Sequence, residues 1–250
     1  MNITIPKGNT QPGVLRKIFC LLSKKEEFST QTPMRVFDVP CGEGEFLITF
    51  KSLYPQSEVV GLDLFARPKP EFHGQFISSD MRDWEKLSSG PFDLITCISG
   101  VMQCDDVQGL FEKASQHLKP GGYFLVTNDN VFSARDRITF FLFGFVKRFR
   151  KFFGSEEGNW NLVLPQSLLR LYEKNGFENI EVEYCSLRFE DYFFFPVAIC
   201  LYVLDLLYLM TVKSTWSRRQ RYELYPFKSL FARHYIFLGR RGAQGSVKKI

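Results

Sequence analysis

The sequence predicts an α/β fold, a mostly parallel β-sheet covered by helices on both faces. Three observations predict it. Short apolar β-type runs alternate with helix-period stretches through residues 34–128 and again through 165–185, the rhythm of strand–helix–strand units. A loop with two glycines, "CGEGEF" (41–46), stands where the first run gives way to the first helix. Acidic residues fall at the ends of the first three runs, at Asp38, Asp63 and Asp80, on the edge where open sheets of this kind bind ligands. With 250 residues, 24% charged and 45% hydrophobic, the chain suits one large domain or one domain with insertions.

The elements follow in order. Residues 14–22 (VLRKIFCLL) have the period of a short amphipathic helix inside an N-terminal segment, 1–33. "MRVFDVP" is the first strand and "CGEGEFLITFKSLYP" opens a helix. "SEVVGLDL", "GQFISSD" and "PFDLITCIS" are the second, third and fourth strands. "VQGLFEKASQHLKPGG" is a helix closed by a Pro-Gly-Gly turn, and "YFLVTN" is the fifth strand. The regularity then breaks into an insertion, 130–165, rich in phenylalanine and basic residues. "PQSLLRLYEKNGF" is a helix stopped by Gly176, and "ENIEVEYC" is the sixth strand. A second insertion, 186–232, precedes a last strand, "RHYIFLGR". The domain is expected to span 34–241, with a flexible tail at 242–250.

Phenylalanine is the compositional outlier, at 27 residues. It crowds beside two basic clusters, Lys147–Arg148–Arg150–Lys151 and Arg218–Arg219–Arg221, in a chain of net charge +5. Such juxtaposition suggests an anionic surface, or else a solvated helix face. The six cysteines form no C-x-x-C pair, as expected of a reduced intracellular protein. The N-terminus is polar and lacks the apolar core of a signal peptide, so a cytoplasmic location is expected. No group of His, Asp and Glu has metal-ligand spacing, and no metal is expected.

At the site, Gly42 and Gly44 allow a tight turn and close approach of backbone to a ligand, with the amides of the following helix pointing at it. A dinucleotide fingerprint would need Gly or Ala three residues after Gly44; Leu47 stands there. Asp63, ending the second strand, can accept both hydroxyls of a ribose. Asp80 and Met81 pair a carboxylate with an apolar side chain, suited to an adenine amine and ring. Asp93, at a strand start, reads as a turn residue.

These three signals, followed in order by a fourth, "FDLITCISG", and a fifth, "HLKPGGYFLVTN", make residues 34–128 resemble the class I S-adenosylmethionine-dependent methyltransferases. The sequence departs at Pro40, where the family's first loop glycine usually stands. The resemblance implies a Rossmann-like seven-stranded methyltransferase sheet, mostly parallel, whose last strand runs antiparallel between the fifth and sixth. Helical apolar insertions follow the fifth and sixth strands. It implies S-adenosylmethionine as cofactor, with Asp38, Cys41, Gly42 and Gly44 under its methionine part. Asp63 and Leu64 would hold ribose and adenine, Asp80 and Met81 the adenine edge, and Ser99 would lie near the sulfonium. "NDNVFSARDRITFFLFG" and "NWNLVLPQSLLRLYEKNGF" further resemble a bacterial subgroup linked to surface-polysaccharide and lipid-linked glycan synthesis, which implies such a methyl acceptor.

That topology starts and ends both insertions on the ligand edge, so both are expected to crowd the substrate entrance. It also constrains "YFFFPVAICLYVLDLLYLM" (192–210), which is long enough to cross a bilayer. A single crossing would strand "RHYIFLGR" on the wrong side, and Asp205 would be costly in lipid. Two readings stay open. One is a helical hairpin over the active site with its apolar face on the core. The other is a monotopic surface, with "ITFFLFGFVKRFRKFF" as one interfacial helix. Its arc of Ile138, Phe141, Leu142, Phe145, Phe149 and Phe152 would oppose Lys147, Arg150 and Lys151. The expected partners are thus a small-molecule or lipid-linked acceptor and, peripherally, the anionic inner face of the cell membrane.

Methyl transfer from a sulfonium is an in-line displacement that demands alignment and exclusion of water. A hydroxyl acceptor also needs a base. The candidates are His234, Asp129 and Asp105, with His234 first because its ordinary pKa suits neutral pH. His117 and His73 read as structural. Three functions compete: O-methylation of a lipid-linked or surface-glycan precursor, methylation of a small hydrophobic metabolite such as a quinone or polyketide, and a non-catalytic scaffold that binds S-adenosylmethionine at the membrane. Nucleic acid is not an expected partner, since the Asn/Asp-Pro-Pro-Tyr/Phe tetrad is absent and the fourth strand ends in "CISG".

Overall fold

The computed structural model describes residues 5–6, 10–28, 32–87, 90–146, 161–214 and 216–242. Seven strands form one sheet: β1 (Arg35–Asp38), β2 (Glu58–Asp63), β3 (Gln75–Ser78), β4 (Phe92–Ile98), β5 (Leu118–Asp129), β6 (Phe177–Cys185) and β7 (His234–Arg241). Their order is β3-β2-β1-β4-β5-β7-β6. β7 pairs antiparallel with both neighbours, so it alone opposes the other six. This is the expected Rossmann-like arrangement, with the last strand between the fifth and sixth.

Alternation along the strands assigns the two faces. Val36, Leu94, Leu125, Ile236 and Leu238 pack under α1 (Pro12–Leu22) and α2 (Glu45–Leu53). Their neighbours Phe37, Ile95, Phe124, Val126, Tyr235 and Phe237 pack under α3 (Val107–His117) and α5 (Pro165–Lys174). Successive side chains of a strand point to opposite faces, and both faces here are apolar, as a sheet covered on both sides requires. On the second face Tyr172 is wholly buried, and its hydroxyl donates to the carbonyls of Phe124 (3.2 Å) and Phe237 (3.3 Å). Without those acceptors the buried hydroxyl would be costly.

Three expectations change. The Pro-Gly-Gly segment is not a turn that closes α3. β5 already pairs with β4 at Leu118, opposite Phe92, and resumes at Tyr123, opposite Leu94, so Lys119–Gly122 bulge out between. The apolar helix after β5, α4 (Ala134–Phe143), stops at Gly144, whose left-handed backbone (φ 68°) caps it. The single interfacial helix therefore does not form, and Phe149, Arg150, Lys151 and Phe152 lie outside the described residues.

The third change concerns the hairpin. A 3-10 turn (Phe189–Phe194) leads into α6 (Phe195–Thr211), which is followed by α7 (Arg218–Leu224). Of the apolar stretch 189–211, only 11% of the most hydrophobic window is buried. Ala198 packs against Ala134, Leu230 and Phe231 in a small third cluster, while most of α6 faces solvent. Its apolar face is thus not on the core. A single crossing is ruled out by connection: Cys185 at the end of β6 pairs directly with His234 at the start of β7.

Candidate active site

The carboxyl ends of β1, β2, β3 and β4 surround a cavity of about 630 Å³. It is bordered by the loop after β1, by Asp63–Ala66 after β2, by Asp80–Arg82 after β3, and by Ile98, Ser99 and Gln103–Asp105 after β4. Thr10, ahead of α1, adds a wall.

The loop after β1 is shaped by its glycines. Gly42 and Gly44 have φ of 56° and 89°, a region open to glycine. Gly42 reaches the cavity. Gly44 does not border it; a Cβ there would meet the Phe72 ring at 2.8 Å, so its role is the turn into α2. Pro40, reached through a cis peptide bond, lies against Gly100, where a Cβ would come within 2.1 Å of Pro40 Cδ. Gly61 of β2 plays the same part for Cys41, whose Sγ would lie 2.7 Å from a Cβ. Neither Gly61 nor Gly100 is marked as special by the sequence, because each answers a side chain distant along the chain.

Asp63 organises the ribose end. Its Oδ2 accepts the Gly42 N–H (2.9 Å), and its Oδ1 accepts the N–H groups of Phe65 (2.9 Å) and Ala66 (2.8 Å). Two oxygens offer about four acceptor sites, so a ligand hydroxyl can still be taken. Leu64 and Phe65 are exposed beside it and, with Met81, give apolar surface for a planar ring.

At the other end Asp38 is buried and accepts the Thr96 hydroxyl at 2.6 Å. Burial pushes its carboxyl well above the ordinary range, and the charges of Glu45 and Asp63 push the same way. Glu45, a residue sequence reading passed over, is itself buried at the first turn of α2, with Lys69 3.6 Å away. Burial also raises the Cys41 thiol, as do Asp38 and Asp63, so Cys41 is a neutral wall. Three converging carboxyl groups with a glycine-lined floor fit a ligand that carries an ammonium and a sulfonium. The apolar shelf beyond Asp63 fits its adenine.

Ser99 borders the cavity with φ 59°, its N–H donating to Thr127 Oγ1 (3.0 Å) and to the Thr127 carbonyl (3.2 Å). Asp80 borders it too and holds Arg82: Oδ1 accepts the backbone N–H and Nε (each 2.8 Å), and Oδ2 accepts Nη2 (2.9 Å), which leaves Oδ2 an acceptor site, as at Asp63. Arg82 holds the Asp80 carboxyl below its usual value. Arg82 Nη1 also donates to Asp105 Oδ2 at 3.3 Å, tying the β3 and β4 loops together over the cavity. Asp105 is therefore a partner of the Arg82 guanidinium.

His234 and Asp129 lie elsewhere on the same edge. They face each other across β5 and β7, with His234 Nε2 3.0 Å from Asp129 Oδ1. His234 Nδ1 is buried with no hydrogen-bond partner among the described residues. The pair does not border the cavity, and Asp105 does, so the three candidate bases are not one constellation. Among the described residues of the two insertions, 130–146, 161–165 and 186–232, none lines the cavity itself, while Asn161 donates to the Met102 carbonyl (3.0 Å) and to that of Cys104 at its border. His117 Nδ1–H donates to the Lys113 carbonyl (2.9 Å), and the ring packs against Trp84, a structural place. Asp93 caps the start of β1 by accepting the Arg35 N–H (2.8 Å) and pairs with Lys119.

Comparison with known proteins accords with this geometry. None of the curated proteins compared matches the sequence. Among solved structures, an S-adenosylmethionine-dependent methyltransferase from Archaeoglobus fulgidus superposes with a TM-score of 0.56 at 17% identity, over 91% of this chain and 93% of that one. A possible histamine N-methyltransferase from Thermotoga maritima gives 0.56 at 16% identity, over 91% and 87%. Magnesium protoporphyrin IX methyltransferase from Synechocystis, solved with SAH, gives 0.52 at 9% identity, over 95% and 90%. Likeness at such low identity establishes the fold. The family is established by the sequence itself: the model for the family described as "Methyltransferase domain" matches residues 14–182, so the chain belongs to that family and is an enzyme.

Proposed function

We propose that the enzyme carries the methyl group of its donor, S-adenosylmethionine, to a hydroxyl of a lipid-linked or surface-glycan precursor at the cytoplasmic face of the membrane. The observation that carries the hydroxyl reading is the His234–Asp129 pair. When His234 is neutral and Nε2–H donates to Asp129, Nδ1 keeps a lone pair that meets no protein donor among the described residues. An imidazole oriented by a carboxylate with its other nitrogen unpaired becomes a general base once the incoming acceptor uncovers that nitrogen. An amine acceptor, already nucleophilic when neutral, has less need of one.

When bound, the donor supplies an electrophilic methyl on a sulfonium. The chain's own residues do the rest. Asp63 takes the ribose hydroxyls while held by three amides. Asp38 and Glu45 face the ammonium. Ser99 ends β4 beside β5, and His234 starts the strand after β5, so the base stands about two strand spacings, ~10 Å, from Ser99. The attacking hydroxyl would have to sit over the end of β5, within hydrogen-bond reach of His234 Nδ1. His234 Nδ1 would take the hydroxyl proton and Asp129 would stabilise the imidazolium. The lipid-linked class is supported by the apolar surface of α4 and α6, which is joined to the strands carrying His234 and Asp129.

The test is transfer of a radiolabelled methyl group to lipid-linked glycan extracts. The expected result is label in the lipid-extractable fraction, with His234→Ala reducing kcat by about 100-fold and leaving SAH affinity unchanged. Label appearing only in small soluble phenols or quinones would move the reading to a hydrophobic metabolite. Full activity of His234→Ala would remove the base.

A further inference from the structure

We propose that α4, the 3-10 turn and α6 form a docking surface for an anionic lipid bilayer, lying in the interface without crossing it. The exposed residues include Phe141 (87% exposed), Phe193 (83%) and Leu204 (62%), and α6 bares apolar side chains on more than one side. An apolar surface of this kind on a water-soluble domain marks an interaction site.

The occupant is argued from charge. Within 186–233 there are seven arginines and lysines against four carboxylates, an excess of three. Each carboxylate already has a cation within the protein. Asp205, the one charge in α6, receives Arg137 Nη1 and Nη2 of α4 at 3.1 and 3.0 Å. Asp191 and Glu190 are held by Arg233, and Glu223 by Arg219 at 2.9 Å. Cations stand at both ends of the apolar run, Arg188 before it, 4.0 Å from Glu190, and Lys213 and Arg218 after it. Apolar faces bracketed by basic ends match acyl chains bracketed by anionic headgroups. A second copy of the chain would instead set this positive surface against itself.

The Arg137–Asp205 pair also explains how an acid can sit in such a helix. A bidentate pair leaves no isolated charge when the two helices leave water together. Depth is limited by connection, because β6 and β7 pair at both ends of the insertion and tether it to the sheet edge. The inference holds whichever acceptor the enzyme uses.

The experiment is flotation of the full chain with vesicles of phosphatidylglycerol and phosphatidylethanolamine, and separately of phosphatidylcholine alone. The expected result is flotation with the anionic vesicles, reduced by about 0.5 M salt through screening. Phe193→Ser with Leu204→Ser should lower partition about tenfold or more; unchanged SAH binding would show that these exposed changes leave the fold intact. Wild-type protein that stays in the soluble fraction at low salt overturns the proposal. Equal flotation with phosphatidylcholine overturns the anionic assignment. A stable dimer that dissociates on Leu204→Ser, with no vesicle binding, assigns the surface to a second copy instead. None of these readouts depends on methyl transfer, so loss of the glycan reading would leave them untouched.

Discussion

The backbone N–H of Gly42 donates to Asp63 Oδ2 across 2.9 Å, fastening the loop after β1 to the end of β2. The carboxylate that would hold a ribose is thus also the clasp of the loop that would hold the methionine part. Asp63→Ala removes three backbone hydrogen bonds and the ribose contact together. The expected loss is about 3 kcal/mol, about 100-fold in SAH affinity by titration calorimetry. Asp63→Asn should also weaken binding, since its NH₂ group would face a backbone N–H. Undiminished binding by Asp63→Ala would remove Asp63 from the donor site.

Asp38 sets function against stability. Its folded carboxyl titrates above the ordinary value, through burial and then the neighbouring acids. The folded protein therefore holds this proton more tightly than the unfolded chain does. The fold is favoured fully below about pH 3.9, and the advantage declines as pH rises to the raised folded value. Asp38→Asn abolishes that decline while keeping an acceptor for Thr96. The ligand-free variant should melt higher than wild type at pH 7 and alongside it near pH 3, yet bind the donor more weakly. A lower melting point at pH 7 would contradict the assignment.

Arg233 and Asp191 pull the other way in pH. Burial alone would raise the Asp191 carboxyl. Two 2.8 Å bonds from Arg233, the Arg188 N–H and the charges of Arg233 and Arg135 outweigh it and lower the value. A depressed folded value gives stability that is present above about pH 3.9 and lost as pH falls toward the folded value. Arg233→Met leaves Asp191 buried with its main partner gone. It should cost about 3–5 kcal/mol and shift acid unfolding to higher pH, measured by circular dichroism. An unchanged acid midpoint would show that the pair does not hold the second insertion to the sheet.

The elements whose causes are local were legible in the sequence. Val36 and Phe37, Phe124 and Leu125, Tyr235 and Ile236 pack on opposite faces, and runs of apolar residues read as strands because both faces are covered. Asp63 was legible because a strand end in this fold is a ligand edge. What hydropathy could not say is which side of an apolar helix meets protein, so α6 read equally well as cover or as surface. The pattern of phenylalanines past Phe143 continued in helical period, but one left-handed glycine, Gly144, ended the helix. Nothing local in the sequence announced that Asp80 also holds Arg82, two residues on, through both its oxygens.

Gly61 shows the same limit and permits a sharp test. It sits mid-strand in β2, where glycine ordinarily weakens a strand. A Cβ there would meet Cys41 Sγ at 2.7 Å, Leu47 Cδ1 at 3.1 Å and Cys41 Cβ at 3.2 Å. Cys41 and Leu47 are both buried, so neither side chain can swing into solvent. Gly61→Ala should therefore destabilise by about 1–3 kcal/mol, the cost of overpacking, and weaken SAH binding because Cys41 belongs to the donor loop. Cys41→Ala removes the closest of the three atoms, so the double variant should recover part of both losses. A coupling energy of about 0.5 kcal/mol or more, in the favourable direction, is expected from denaturant unfolding of the four proteins. Strict additivity would mean that the loop after β1 moves aside freely and that Gly61 is not what fits Cys41 into the floor of the cavity.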